Sequence, residues 1–144
     1  MKLSLILILL SCILVGCDPA SNKLLIKNES ESGIYAFYFC DQKIDSLILK
    51  VDNENEVLSS DILPLKYIYS KSSERFIRRG FNAWDGYVKD CPDRILHIFI
   101  ITDSSAIKYM NGKIRFNNLI DETIIINYKD LIRSNWTVVY NNYR

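Results

Sequence analysis

Apolar residues in this chain fall into two kinds of run. Residues 3–15 form one block interrupted only by Ser4, Ser11 and Cys12 and preceded by a single cation, Lys2. After Asp18 the apolar runs shorten to strand length and are separated by polar clusters. Residues 23–27 are ended by Asn28-Glu29-Ser30-Glu31-Ser32-Gly33, and residues 34–40 follow with a two-residue period. Tyr35, Phe37 and Phe39 share one face there, and Ile34, Ala36, Tyr38 and Cys40 the other. The two runs with a polar turn between them predict a hairpin. Residues 46–51 are another apolar stretch before the acidic loop around Glu54 and Glu56. Residues 57–69 hold a strand that Pro64 confines to an edge or a bulge.

Farther on, Phe81, Trp84, Tyr87 and Val88 recur at helical spacing, with Asn82 as a candidate cap and Cys91-Pro92 as the stop. The aromatic face of that helix is expected to pack on a sheet rather than serve as a sugar-stacking platform. Residues 94–102 predict a central strand. Ile95, His97, Phe99 and Ile101 line one face and Leu96, Ile98 and Ile100 the other, both nearly apolar. Asp103-Ser104-Ser105 opens a short helix through Met110, and Asn111-Gly112 is a tight turn before a short strand at 113–117. Residues 123–128 are β-branched, 129–134 fit a turn or two of helix, and 136–140 close as a strand. Together these predict a mainly β domain over residues 23–144, an antiparallel β-sandwich or open sheet with two or three short helices.

The first block has a different character. One cation followed by an apolar run is a charged n-region and an h-region. It is shorter than the ~20 residues needed to span a bilayer, and it lacks the polar face of a core helix. It closes on Leu14-Val15-Gly16-Cys17, which resembles the lipobox of a bacterial lipoprotein signal peptide. The resemblance implies a signal peptide at 1–16, cleavage between Gly16 and Cys17, and palmitate-type acyl chains on a diacylglyceryl Cys17. Residues 17–22 then form a lipidated tether. Several chains on one cysteine meet the requirement that stable anchoring take more than one acyl chain.

Charge follows from that partition. The chain carries 18 Lys+Arg and 17 Asp+Glu, and removing Lys2 with the signal leaves 17 of each. A neutral domain lacks the basic face of a nucleic-acid binder and the polybasic patch of a peripheral membrane protein. The membrane partner is then reached through the lipid on Cys17. Cys12 leaves with the signal and Cys17 is acylated, so Cys40 and Cys91 remain as two thiols in an oxidising compartment, the condition for a disulfide. The alternative is two separate buried thiols.

The segment Ile126-Asn127-Tyr128-Lys129-Asp130-Leu131, followed by Asn135-Trp136-Thr137-Val138-Val139-Tyr140, resembles the ending of a group of small Bacteroidetes lipoproteins of unknown function. The strand Ile95-Leu96-His97-Ile98-Phe99-Ile100 resembles the one that precedes it in that group. The chain departs from the pattern at Asn127 and at Asn141-Asn142. The resemblance implies a fold and an address, and no catalytic residues or cofactor.

Candidate chemistry is sparse. There is no Gly-x-Ser-x-Gly, no His-Glu-x-x-His and no phosphate-binding glycine loop. His97 is the only histidine and lies mid-strand, where a core imidazole is expected. Cys40, Cys91 and His97 fall short of the four ligands of a closed zinc site, and no metal site is expected. Arg75, Arg78 and Arg79 read as a solvated edge. Asp41, Asp45, Glu54 and Glu56 are carboxylates without an evident cleft. Asn28-Glu29-Ser30 and Asn135-Trp136-Thr137 match the N-glycosylation sequon. Asp45-Ser46-Leu47 resembles the site of Bacteroidetes O-glycosylation, which makes Ser46 a candidate. The expectation is a lipid-anchored protein of the bacterial envelope, facing the periplasm rather than the cell surface. It would be non-catalytic and bind an envelope protein or glycan. The alternative is a small envelope hydrolase acting through carboxylates.

Overall fold

The computed structural model describes residues 23–40, 50–52, 57–59, 64–80, 83–113 and 118–142. The signal segment and tether with Lys2, Cys12, Gly16, Cys17 and Asp18 lie outside these residues. So do Asp41, Asp45, Ser46, Glu54, Glu56, Phe81, Asn82 and residues 114–117 of the strand expected at 113–117.

The domain is mainly β, with open sheets and, among the described residues, three short α-helices. In chain order the strands begin with β1 (Lys23–Asn28), β2 (Ile34–Phe39), β3 (Lys50–Asp52), β4 (Val57–Ser59), β5 (Lys66–Ile68) and β6 (Ser72–Ile77). Helix α1 (Ala83–Asp90) and a 3-10 turn (Pro92–Arg94) lead into β7 (Ile95–Thr102), which runs directly into α2 (Asp103–Met110). Then come β8 (Glu122–Asn127), α3 (Tyr128–Arg133) and β9 (Thr137–Tyr140). A four-stranded sheet has the order β5-β2-β7-β8, a three-stranded sheet the order β6-β1-β9, and β3 and β4 pair with each other.

The alternation read from sequence sets the layers. Ile34, Ala36 and Tyr38 of β2, with Leu96, Ile98 and Ile100 of β7, face the three-stranded sheet. There they meet Leu24, Ile26, Phe76, Val138 and Tyr140, together with Trp84 and Val88 of α1 and Leu131 of α3. The opposite face carries Tyr35, Phe37, Phe99 and Ile101 beneath Ala106 of α2, Leu58 and Leu119. β7 is the two-faced central strand that its sequence predicts. β5, just after Pro64, is an edge, and so is the charged β6.

Two features correct the expectation. β1 and β2 do not form a hairpin: they lie in different sheets, and β1 pairs with β6 and β9. β2 is apolar on both faces and takes β5 and β7 as neighbours, whereas β1 is buried on one face only. The link between them wraps a buried asparagine. The Asn28 carboxamide donates to the carbonyls of Ser32, Ile68 and Tyr69 and accepts from the backbone and hydroxyl of Ser30. Second, β1 and β9 run parallel, with Leu25 opposite Thr137, in an otherwise antiparallel set of strand pairs. The chain enters β9 through left-handed backbone at Asn135 and Trp136. The Trp136 N–H closes the end of α3 on the Leu131 carbonyl at 2.7 Å, a Schellman-type bond.

Helix α1 buries Trp84 and Val88, one turn apart, and the Trp84 indole N–H donates to the Phe76 carbonyl at 2.8 Å. Its outer face holds Asp85, which accepts from Lys89 and from the Tyr128 hydroxyl. The Lys89 hydrogen bond first, and then that of Tyr128, holds the Asp85 carboxyl below the usual range.

Candidate polar cleft

The turn after β1, the end of β7, the start of β8 and the end of β9 meet at one rim of the molecule. Ser32, Thr102, Ser104, Asp121, Glu122, Tyr140 and Asn142 line a cleft there of about 230 Å³. The strand order places them: β7 ends at Thr102 beside β8, and β9 carries Tyr140 to the same rim through its pairing with β1.

Asp121 organises this rim. Its Oδ2 accepts from the Thr102 N–H at 2.7 Å and from the Thr102 hydroxyl at 3.0 Å, and its Oδ1 accepts from the Ser105 hydroxyl at 2.7 Å. Its own N–H donates to the Ile100 carbonyl. The carboxylate thus sits over the first turn of α2, where the helix dipole favours a negative charge. The sequence points to Asp103-Ser104-Ser105 as the local cap. In the structure Thr102 is the N-cap, but its side chain accepts no bond from the helix backbone, and the acceptor over this turn arrives from Asp121. Thr102 and Ser104 hydroxyls also lie 3.0 Å apart.

The chemistry available in the cleft is hydrogen bonding. Among the described residues, hydroxyls, one carboxamide and two carboxylates line it, with no histidine, cysteine or lysine to activate a nucleophile. The volume falls below the ~300–1,000 Å³ typical of sites for drug-sized ligands, so it suits one sugar ring or one polar side chain. Among the described residues no cluster of three or more His, Cys, Asp or Glu could hold a metal ion. Among the same residues no helix is long and apolar enough to cross a membrane.

Residues singled out by sequence lie elsewhere. Cys40, just past β2, and Cys91, just past α1, form a disulfide with Cα atoms 5.0 Å apart. The bridge removes both as zinc ligands. His97 is buried among strands, opposite Phe39 of β2 and Ile125 of β8, and its Nδ1 has no hydrogen-bond partner. It lies five residues along β7 from Thr102, about 17 Å from the cleft. Arg78 does not join Arg75 and Arg79 as an anion site. Its guanidinium stacks 3.8 Å from the Tyr87 ring centroid and donates to the Tyr38 hydroxyl. That stacking and the complete burial of Trp84 fit α1 packing on a sheet. Burial pushes the Tyr87 hydroxyl up despite the opposing charge of Arg78.

A second polar contact flanks the cleft. The Tyr67 hydroxyl donates to Asp103 Oδ2 at 3.0 Å directly over Gly33, where a Cβ would collide with both groups. Burial first, then the hydrogen bond and charge of Asp103, pushes Tyr67 up to about 12. Tyr35 packs edge-on against Tyr67 and is raised by burial too. Sequence patterning misses Asp121, Thr102 and Tyr140 because their association is long-range; the acidic pair before a β-branched run is the one local signal. Comparison with protein-family models, with curated proteins and with solved structures finds no match to this chain.

Proposed function

We propose that this chain is a lipid-anchored bacterial envelope protein, one of the small Bacteroidetes lipoproteins, whose domain binds a polar partner without transforming it. The partner is a glycan or a polar segment of an envelope protein, held at the Asp121 cleft on the periplasmic side. One observation carries the binding reading: a fixed, mostly polar cleft whose central carboxylate is taken up by three donors. A carboxylate so engaged serves as scaffold rather than as a general base, which must be free to accept a substrate proton. The anchor rests on the lipobox at Cys17 and the neutral charge of the domain.

Titration of a panel of oligosaccharides and polar peptides, followed by amide chemical shifts, tests the cleft. Shifts concentrated at Ser32, Ser104, Glu122 and Asn142, and weakened by Asn142→Ala, are the expected outcome. Turnover of any panel member, abolished by Glu122→Gln, would replace this reading with the carboxylate hydrolase. Intact mass of the native protein reads the acylation of Cys17 and any glycan on Ser46. Protease shaving of intact cells reads the face of the membrane: survival of the domain is expected.

A further inference from the structure

The four-stranded sheet ends at β8, which pairs with β7 along one side only. In an antiparallel pair, alternate residues turn their N–H and C=O groups away from the partner strand. β8 therefore presents a row of backbone donors and acceptors outward, and no backbone hydrogen bond is made along that side among the described residues. Exposed edges are ordinarily blunted by lysine, proline, a bulge or a covering element. β5 is only three residues long and includes Lys66, and β6 carries Glu74 and Arg75. Among the described residues β8 has none of these devices across Thr123-Ile124-Ile125-Ile126. Ile125 is 56% exposed, and Phe39, two strands away on the same row, is 40% exposed.

We propose that the outer edge of β8 pairs antiparallel with β8 of a second copy of this chain, joining two four-stranded sheets into one of eight strands. The strand's own composition selects that partner. Its edge carries Ile124 and Ile126 on one face and Ile125 between Thr123 and Asn127 on the other, so a strand that covers it needs apolar residues at the same central positions, as β8 itself has.

The register follows from geometry. A two-fold axis perpendicular to a continuous sheet keeps each face on its own side, and directly opposed residues must share a face. The axis must therefore pass through a residue and not between two. Centred on Ile125, it sets Ile125 against Ile125, Ile124 against Ile126 and Thr123 against Asn127. It also sets Glu122 of each copy opposite Tyr128 of the other, with Lys129 the next residue along at the start of α3. Glu122 and Lys129 make no ion pair within one chain among the described residues. Centring on Ile126 would instead oppose Glu122 to Asp130, and centring on Ile124 leaves the charges unpaired.

The test uses the purified full chain in detergent. Directly opposed residues of an antiparallel pair lie within disulfide reach, so I125C, sitting on the axis, should oxidise to a covalent homodimer. It should do so roughly tenfold or more faster than V139C, which is similarly exposed on β9, or than the chain without an added cysteine. A mixture of T123C and N127C should form the heterodimer in preference to either homodimer. Ile125→Lys should leave circular dichroism unchanged and weaken self-association roughly tenfold or more. Equal oxidation rates for I125C and V139C, or sedimentation as a monomer at every concentration, would overturn the proposal. So would coupling of the I125C thiol to a foreign chain in whole envelopes, which would give the edge to another protein's strand.

Discussion

Asn28 has no exposed surface, and its carboxamide bonds to three backbone carbonyls from two parts of the chain while accepting twice from Ser30. Asn28→Ala removes the buried donor to the Ile68 carbonyl and the acceptor of the buried Ser30 N–H and hydroxyl, and each such loss costs about 1–3 kcal/mol. Urea denaturation should show a loss of about 3 kcal/mol, far more than for a surface asparagine. The same engagement withdraws the Asn28 amide from the sequon that its sequence spells. Tyr67 makes a pH-dependent contribution. Its folded-state ionisation lies near 12, above the ordinary 10.0, so the folded state holds the phenolic proton more tightly than the unfolded chain does. That stability is complete below about pH 10 and is lost as pH rises towards 12. Tyr67→Phe should flatten this alkaline loss and remove the corresponding step from the tyrosinate absorbance titration. Neither residue is legible as special in sequence. Hydrophobic patterning assigns Asn28 to a polar turn and Tyr67 to a strand, and the partners that set them apart, Ile68 and Tyr69 for Asn28 and Asp103 for Tyr67, lie some forty positions away.

At the scale of elements, Gly33 marks where the chain crosses from one sheet to the other. Gly33→Ala would push a methyl group into Tyr67 and Asp103. The expected outcome is a loss of about 2 kcal/mol, with the Tyr67 ionisation returning towards its ordinary value as its hydrogen bond breaks. The Cys40–Cys91 bridge ties the end of β2 to the end of α1 across 51 positions. In the chain-entropy model a loop of that length contributes about 4 kcal/mol. Cys40→Ser with Cys91→Ser should lower the urea midpoint accordingly while leaving the strand content intact by circular dichroism. The faces of β2 and β7, the helices and the edge position of β5 were all legible, because each follows from a period or a breaker within a few residues. The hairpin misled because adjacency in sequence does not decide pairing. A strand buried on both faces seeks neighbours on both sides, and those neighbours, β5 and β7, come later in the chain. The Asp121 rim was illegible for the same reason: its acceptor and its donors belong to different elements.

For the molecule as a whole, the balanced charge and the proposed anchor assign different tasks to different parts. Under the proposed function, Cys17→Ala should move the protein from the detergent phase to the aqueous phase in a cloud-point partition, with the domain still folded. The opposite result, retention in the detergent phase, would assign membrane attachment to something other than the acylated cysteine.

The parallel pairing of β1 with β9 also has a mechanical side. Under the proposed function, a pull entering at Lys23 from the membrane anchor runs along β1, which is clasped by β6 on one side and β9 on the other. Drawn against a load on the far end of β9, the two parallel strands must slide past each other lengthwise. Their hydrogen bonds from Leu25 to Asn28 would then bear the strain together instead of opening one at a time like a zipper. The strand nearest the tether is thus the one seated to resist being drawn out.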